Sequence, residues 1–149
     1  GECVKISSGY VVGGNGSAAD IVGVLNGIFY NDATTLKPTF ANFYKATITP
    51  ANSEDTTAFV IDDPFQQYVV STDDARTQAQ FLATYDMNSS AGSDTTGKSS
   101  STLDTSVTDA NGKQFRLIRS AEDPENEDIT AAFFSGIVVS NTNSFNGHN

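Results

Sequence analysis

The stretch TAFVIDDPFQQYVV, residues 57–70, decides the fold class of this chain. Two short runs of β-branched and aromatic residues, 57–61 and 67–70, flank an Asp-Asp-Pro sequence. Such residues fit the pleated surface of a sheet, whereas proline cannot donate to a ladder of backbone hydrogen bonds. We therefore predict two strands separated by a turn. Asp62 and Asp63 are interpreted as turn formers, with one carboxylate capping a local backbone N–H.

The same kind of pattern continues on both sides of this stretch. It predicts further strands at residues 2–6, 10–12, 21–30, 43–49, 81–85, 113–119 and 131–140. Gly23 and Gly27 predict a bulge or a close backbone contact within residues 21–30. The Asn111-Gly112 pair predicts a tight hairpin turn into residues 113–119.

Only one segment favours a helix. Ser71 or Thr72 could cap it, and Asp73 and Asp74 would then lie in its first turn, where negative charge meets the helix dipole favourably. We predict that this helix runs to about residue 80. The chain is therefore predicted to be mainly β, an antiparallel β-barrel or sandwich with one short helix and long loops.

The length of 149 residues fits a single β-rich domain over residues 1–149, which buries roughly two-thirds of its unfolded surface. Cys3 is the only cysteine, so no internal disulfide can form, and we interpret it as a small apolar residue rather than a nucleophile. The chain opens without methionine in strand-like sequence, from which we expect that an N-terminal extension is missing. The polar tail, residues 141–149, is expected to be flexible.

The charge is strongly acidic, with 8 basic and 18 acidic residues and a formal net charge of −10. Nucleic-acid binding depends on basic side chains that displace counterions from phosphates, and anionic membranes repel an acidic surface. We therefore expect no nucleic-acid partner and no membrane partner. A partner, where one exists, should be a protein.

One segment, GSDTTGKS at residues 92–99, matches the phosphate-binding P-loop pattern letter for letter. A P-loop requires a buried strand before it and a helix after it, which together aim backbone N–H groups at phosphate. Here residues 88–91 are small and polar, and residues 100–108 are poor helix formers. Asp62, the possible Mg²⁺ partner, lies upstream rather than downstream. We predict that residues 88–102 form a surface loop without a bound nucleotide.

The sequence offers no clear catalytic or metal site. The only histidine, His148, lies in the polar tail, where it cannot be held between a nucleophile and an orienting group. The acidic segment at residues 122–128 has no glycine and lacks the ligand spacing of a calcium loop. We therefore predict a protein that is not an enzyme, with no cofactor and no metal.

Several short segments, taken in order, carry a resemblance to a known family. They are GECVKI (1–6), IVGV (21–24), GIFYND (27–32), KPTF (37–40), FY (43–44), AFVIDDP (58–64), DTTGKS (94–99) with LD (103–104), FRLI (115–118) and DPENE (123–127). This order resembles small virion proteins of tailed phages, many of them marine podophages, described as capsid decoration, cement or head-stabilisation proteins. The resemblance spans nearly the whole chain.

The resemblance implies a structural role on the outer surface of the virion. The protein would bind the major capsid protein, bridge and stabilise its subunits, and possess a Thr-Gly-Lys-Ser loop that binds no nucleotide. The oligomeric state stays open: a dimer or a trimer of the chain at capsid symmetry axes, or a monomer that assembles only on the capsid lattice. Exposed loops supply the candidate contact residues, which are Asp94, Lys98, Arg119, Glu125 and Glu127.

Two alternatives stay open at this point. The second function is a surface-displayed carbohydrate-binding β-module, which needs aromatic side chains exposed on one face; Tyr10, Phe65 and Phe145 are the first candidates. A sugar- or protein-binding face could also contain some of the following aromatic residues, although most of them are predicted to lie in the core: Phe29, Tyr30, Phe40, Phe43 and Tyr44. The third is a P-loop-like nucleotide binder, which would depend on Lys98.

Overall fold

The computed structural model describes residues 1–14, 21–88, 90, 92–109 and 112–144, which form two antiparallel sheets. The first sheet contains β1 (Cys3–Ser7), β2 (Tyr10–Gly13), β3 (Gly23–Asn31), β4 (Pro38–Ala41) and β5 (Thr57–Ile61). The second contains β6 (Gln67–Ser71), β7 (Thr84–Asn88), β8 (Thr102–Asp109), β9 (Phe115–Ser120) and β10 (Ser135–Ser140). The prediction of a mainly β, antiparallel fold is confirmed.

The long strand β3 organises the first sheet. It pairs with β1 at its start and with β4 at its end, while β5 runs along its other edge. The outermost strand, β2, pairs with β1. In the second sheet the strand order is β6-β10-β9-β7-β8.

Both predictions made for the stretch at residues 57–70 are confirmed. The strands β5 and β6 form there, and the N–H of Phe65 donates to Oδ1 of Asp63 at 2.9 Å. The two strands belong to different sheets. This stretch is therefore the point at which the chain crosses from the first sheet to the second.

The two glycines of β3 act as predicted. The register between β3 and β5 shifts between Leu25 and Gly27, which is the expected bulge. A Cβ on Gly23 would lie 2.0 Å from the carbonyl oxygen of Ile61, and one on Gly27 would lie 2.6 Å from Cζ of Phe40. Only glycine allows these close contacts.

Most of the apolar core lies on the second sheet. The buried cluster consists of Cys3, Ile21, Tyr85, Met87, Leu103, Phe115, Leu117, Phe134 and Val138. Full burial of a side chain of this kind contributes about 1.5–3 kcal/mol. Burial also raises the pKa of the Cys3 thiol to about 12, in agreement with its interpretation as a small apolar residue.

The predicted helix at residues 72–80 is wrong. Thr72 forms a bridge to Leu103, and in this segment only a single 3-10 turn, Gln78–Gln80, is helical. The carboxylate of Asp73 accepts hydrogen bonds from the N–H and the hydroxyl of Thr105 and from Nδ2 of Asn88. These contacts tie the segment to the edge strand β8, and a continuous helix would break them.

Three strand predictions also need correction. Residues 43–49 form no strand, because a turn in which the N–H of Ile48 donates to the carbonyl of Lys45 interrupts them, and the strand lies earlier, at β4. The strand predicted at 81–85 lies at Thr84–Asn88, and the last strand covers only Ser135–Ser140. The Ser/Thr-rich strand β8 was not predicted.

The predicted hairpin at Asn111-Gly112 is also wrong. The strands before and after it, β8 and β9, both pair with β7 and not with each other. Residues 110 and 111 themselves lie outside the described residues.

Gln114, which is 1% exposed, ties the two sheets together. Its side-chain amide donates to the carbonyl of Gly14, just after β2, and accepts from the N–H of Met87 on β7 at 3.0 Å. Its backbone N–H donates to the carboxylate of Asp86, and its carbonyl accepts from the N–H of Asn141. A single buried residue therefore connects β2, β7 and the end of β10.

The segment after β10 makes a second connection to the first half of the chain. The N–H of Ser144 donates to the carbonyl of Ile21 at 2.9 Å, and the N–H of Ile21 donates to the carbonyl of Thr142 at 3.2 Å. Asn143 is 8% exposed and donates to the carbonyl of Val22. These residues belong to the segment predicted as a flexible tail, of which residues 145–149 lie outside the described part.

We predict that Gln114→Ala lowers the free energy of unfolding by about 2–3 kcal/mol, since it leaves buried backbone groups without a hydrogen-bond partner. Chemical denaturation measures this change. The matched control is Gln78→Ala at an exposed position, which should alter the value by less than about 0.5 kcal/mol. Equal effects of the two substitutions would contradict the conclusion that the hydrogen bonds of Gln114 connect the two sheets.

Candidate functional site

In the loop at residues 92–99, four backbone N–H groups donate hydrogen bonds within the loop itself rather than pointing at a shared phosphate position. The N–H groups of Ser93 and Gly97 donate to carbonyls of the same loop, at 3.0 Å and 2.8 Å. The N–H groups of Thr96 and Lys98 donate to loop hydroxyls at 3.2 Å and 3.4 Å. A buried strand, β7, does precede this loop, but the strand β8 follows it instead of a helix. The geometry of a phosphate-binding loop is therefore absent.

The loop instead packs against the first sheet and its connections. Gly97 has φ of +69°, and a Cβ there would lie 2.2 Å from the ring of Phe43. The carboxylate of Glu2 accepts hydrogen bonds from the hydroxyls of Ser99 at 2.7 Å and Ser101 at 3.2 Å. These contacts hold the loop in a fixed conformation, as its glycine and serines allow.

The candidate contact residues fall into two separate groups. Asp94 and Lys98 are exposed on the loop at residues 92–99. Arg119 lies on β9 and forms an exposed ion pair with Glu122 at 3.0 Å. Glu125 and Glu127 are exposed in the connector that follows. The second group thus belongs to the second sheet.

The acidic connector at residues 122–128 forms turns through its own carboxylates. Asp123 accepts from the N–H of Glu125 at 3.2 Å, and Asp128 accepts from the hydroxyl of Thr130 at 2.7 Å. The Thr130 hydroxyl and N–H lower the pKa of Asp128. Within the described residues, no group of three or more His, Cys, Asp or Glu side chains is placed to hold a metal ion.

The first sheet carries an exposed aromatic surface, which we call the aromatic face: Phe29, Phe40 and Phe59. Phe29 pairs with Phe40, and Phe59 pairs with Gly27, which places the three rings on one face of the sheet. They are 37%, 60% and 45% exposed, and the centroids of Phe40 and Phe59 lie 5.9 Å apart. The Phe40 ring lies over Gly27, where any side chain would displace it.

A capped turn connects β3 and β4, two of the three strands that present this face. Oδ1 of Asp32 accepts from the N–H of Thr35 at 2.7 Å and the N–H of Thr34 at 2.9 Å, in the connection between β3 and β4. The Thr35 N–H is the main cause of the lowered pKa of Asp32. The turn fixes the register that brings Phe29 opposite Phe40.

An open cleft of about 970 Å³ lies beside the opposite face of β3, and we call it the cleft. Apolar side chains of the first sheet line part of it, including Ile28, Leu25 and Ala58. The strand β2 adds Tyr10, and the surrounding connections and the loop add Phe43, Tyr44, Glu54, Asp55, Asp94 and Lys98. The strand β3 thus separates two surfaces of different chemistry.

The aromatic residues predicted for glycan binding have different positions. Tyr10 is 61% exposed and lines the cleft, whereas Phe65 is 84% exposed and lies outside its lining. Phe145, like His148, lies outside the described residues. Tyr44 is one of the aromatic residues that the sequence offered for a binding face while favouring the core for most of them. It is 56% exposed and lines the cleft, because residues 43–50 pack in a way that leaves it uncovered.

Comparisons with known proteins gave no family model, no curated protein and no solved structure that matches this chain. Among the described residues, no helix has the length and apolar character needed to span a membrane.

We predict that Gly97→Ala lowers the free energy of unfolding by about 1–3 kcal/mol, because it forces a side chain into a left-handed conformation against the Phe43 ring. Lys98→Ala should change the free energy of unfolding by less than about 0.5 kcal/mol.

Calorimetric titration should detect no binding of Mg·ATP at about 1 mM by the unmodified protein. Binding that Lys98→Ala abolishes would restore the P-loop interpretation.

Proposed function

We propose that this chain is a structural virion protein that binds the outer surface of a tailed-phage capsid and bridges neighbouring subunits of the major capsid protein. The observation that carries this proposal is the aromatic face, where three phenylalanines are exposed on one side of a sheet. The order of segments that resembles capsid decoration proteins gives the partner. An expected lack of enzymatic activity is part of the same proposal.

The aromatic face can supply the burial of apolar surface that attachment to a protein partner requires. Burial of apolar surface contributes about 25 cal/mol per Å², and aromatic side chains dominate the centres of protein interfaces. Phe40 is the most exposed of the three; it is paired with Phe29 in the sheet register, and its ring centroid lies 5.9 Å from that of Phe59. We infer that it inserts into an apolar recess of the capsid protein.

The rigid support of this face also favours a docking role. Phe29 and Phe59 lie on strands that hydrogen-bond to each other, and the Asp32 turn fixes the strand that bears Phe40. Side chains that are already held in place lose little conformational entropy on binding. The face can therefore dock without rearrangement of the sheet.

The net charge of the chain and the repetition of contacts on a capsid lattice also support this proposal. A net charge of −10 keeps free copies apart in solution and disfavours the DNA-facing side of a capsid shell. On the shell, copies that contact two neighbouring subunits gain from repetition of the same weak contact. Such bridging would oppose the outward pressure of a packaged genome.

We predict that Phe40→Ser lowers rebinding to capsids by roughly tenfold, because it removes the central apolar anchor. The measurement uses particles of the encoding phage from which the protein has been stripped, and quantifies co-sedimentation of added full-length protein. The double variant Phe40→Ser/Phe59→Ser should lose more.

The matched control is Phe65→Ser, at an 84% exposed phenylalanine outside the aromatic face. It should rebind as well as the unmodified protein. If Phe40→Ser also rebinds normally, the aromatic face is not the docking surface. If the unmodified protein fails to bind stripped particles, the capsid proposal itself is wrong.

A further inference from the structure

The cleft has the size and shape of a ligand site. Its volume of about 970 Å³ lies at the upper end of the range of roughly 300–1,000 Å³ that small-molecule sites occupy. Strands of the first sheet and the glycine loop at residues 92–99 line it. Gly97 packs against Phe43 and Ser99 donates to Glu2, and these contacts position the loop beside the first sheet.

Two tyrosines give the cleft aromatic surfaces. Tyr10 on β2 is 61% exposed, and Tyr44 in the connection after β4 is 56% exposed. Both line the cleft. An exposed tyrosine offers a flat apolar ring and a hydroxyl that can donate or accept.

Several polar groups in the cleft are not engaged by the described protein. The side chains of Asp55, Asp94 and Lys98 line it, and in the described residues none of them forms a hydrogen bond or an ion pair. The hydroxyls of Tyr10 and Tyr44 are likewise without a protein partner there. Glu54 differs, because it accepts from Nδ2 of Asn31 at 3.0 Å.

We propose that the cleft binds a neutral oligosaccharide. A sugar ring has an apolar face that packs on tyrosine and a rim of hydroxyls that donate to carboxylates and accept from an ammonium group. Asp55, Asp94 and Lys98 provide these partners. The cleft lies beside the face of β3 opposite the aromatic face, so this proposal does not rest on capsid attachment.

The charges that line the cleft favour neutral sugars over acidic sugars and over basic peptides. Four carboxylates, from Glu2, Glu54, Asp55 and Asp94, stand against the single lysine ammonium group, that of Lys98, in the lining. Acidic sugars are therefore repelled. A basic peptide would be attracted by the carboxylates, and its cations could stack on the tyrosine rings, but Lys98 would repel it. A neutral sugar can hydrogen-bond to the carboxylates and to Lys98, and its apolar face can pack on the tyrosine rings.

The test is a titration of the ¹⁵N-labelled full chain with maltotetraose, cellotetraose and chitotetraose, followed by amide chemical shifts. At least one of these neutral sugars should produce saturable shifts at residues 10–13, 44 and 93–99 below about 10 mM. Tetragalacturonate, an acidic sugar, and tetralysine, a basic peptide, should produce none at these positions. Tyr44→Ala should weaken the binding at least about tenfold.

Phe65→Ala is the matched control, because it removes an exposed ring outside the cleft and should leave the affinity unchanged. The melting temperature of each variant confirms that it is folded. Phe40→Ser should bind the sugar normally, which separates this proposal from the capsid proposal. Absence of shifts with all three neutral sugars would overturn the proposal, as would an affinity unaffected by Tyr44→Ala. Saturation of the cleft by tetragalacturonate or tetralysine in place of the neutral sugars would overturn it as well.

Discussion

The buried amide of Gln114 is the constraint on which the arrangement of the two sheets depends. A primary amide in an apolar environment is costly unless its hydrogen bonds are made, and here backbone groups from both sheets make them. The pairing is directional, so it fixes how β2 lies relative to β7. Apolar packing of Cys3 and Ile21 against the second sheet adds energy without that directionality. The first sheet is therefore held at one end, where β1 and β2 lie.

This attachment leaves much of the first sheet free to form surfaces. Because side chains alternate along a strand, β3 presents Phe29 on one face and Ile28 on the other. Phe29 belongs to the aromatic face, and Ile28 is 2% exposed and lines the cleft. A capsid contact and a sugar site can thus coexist on one sheet, since each uses one face. On a virion, such an arrangement would leave the cleft available while the aromatic face is covered.

The sequence predicted those elements in which local chemistry and tertiary structure agree. The strand at residues 57–61, the Asp63 turn and the close contact at Gly27 each follow from the residues present. The helix at residues 72–80 failed because Asp73, which was predicted to lie in its first turn, instead accepts hydrogen bonds from Thr105, which lies far along the chain. The strand β8 was missed because serine and threonine suit loops as well as sheet edges. Phe29, Phe40 and Tyr44 were candidates for a binding face, but the sequence favoured the core for most of these aromatic residues, since exposure depends on what the rest of the fold covers.

The central claim is that this chain is a component of a virion. Quantitative mass spectrometry of gradient-purified particles of the encoding phage tests it most directly, through the copy number of the chain relative to the major capsid protein. We expect a fixed and simple ratio between the two, as a lattice of repeated contacts requires. Near-total absence of the chain from purified particles would contradict the claim.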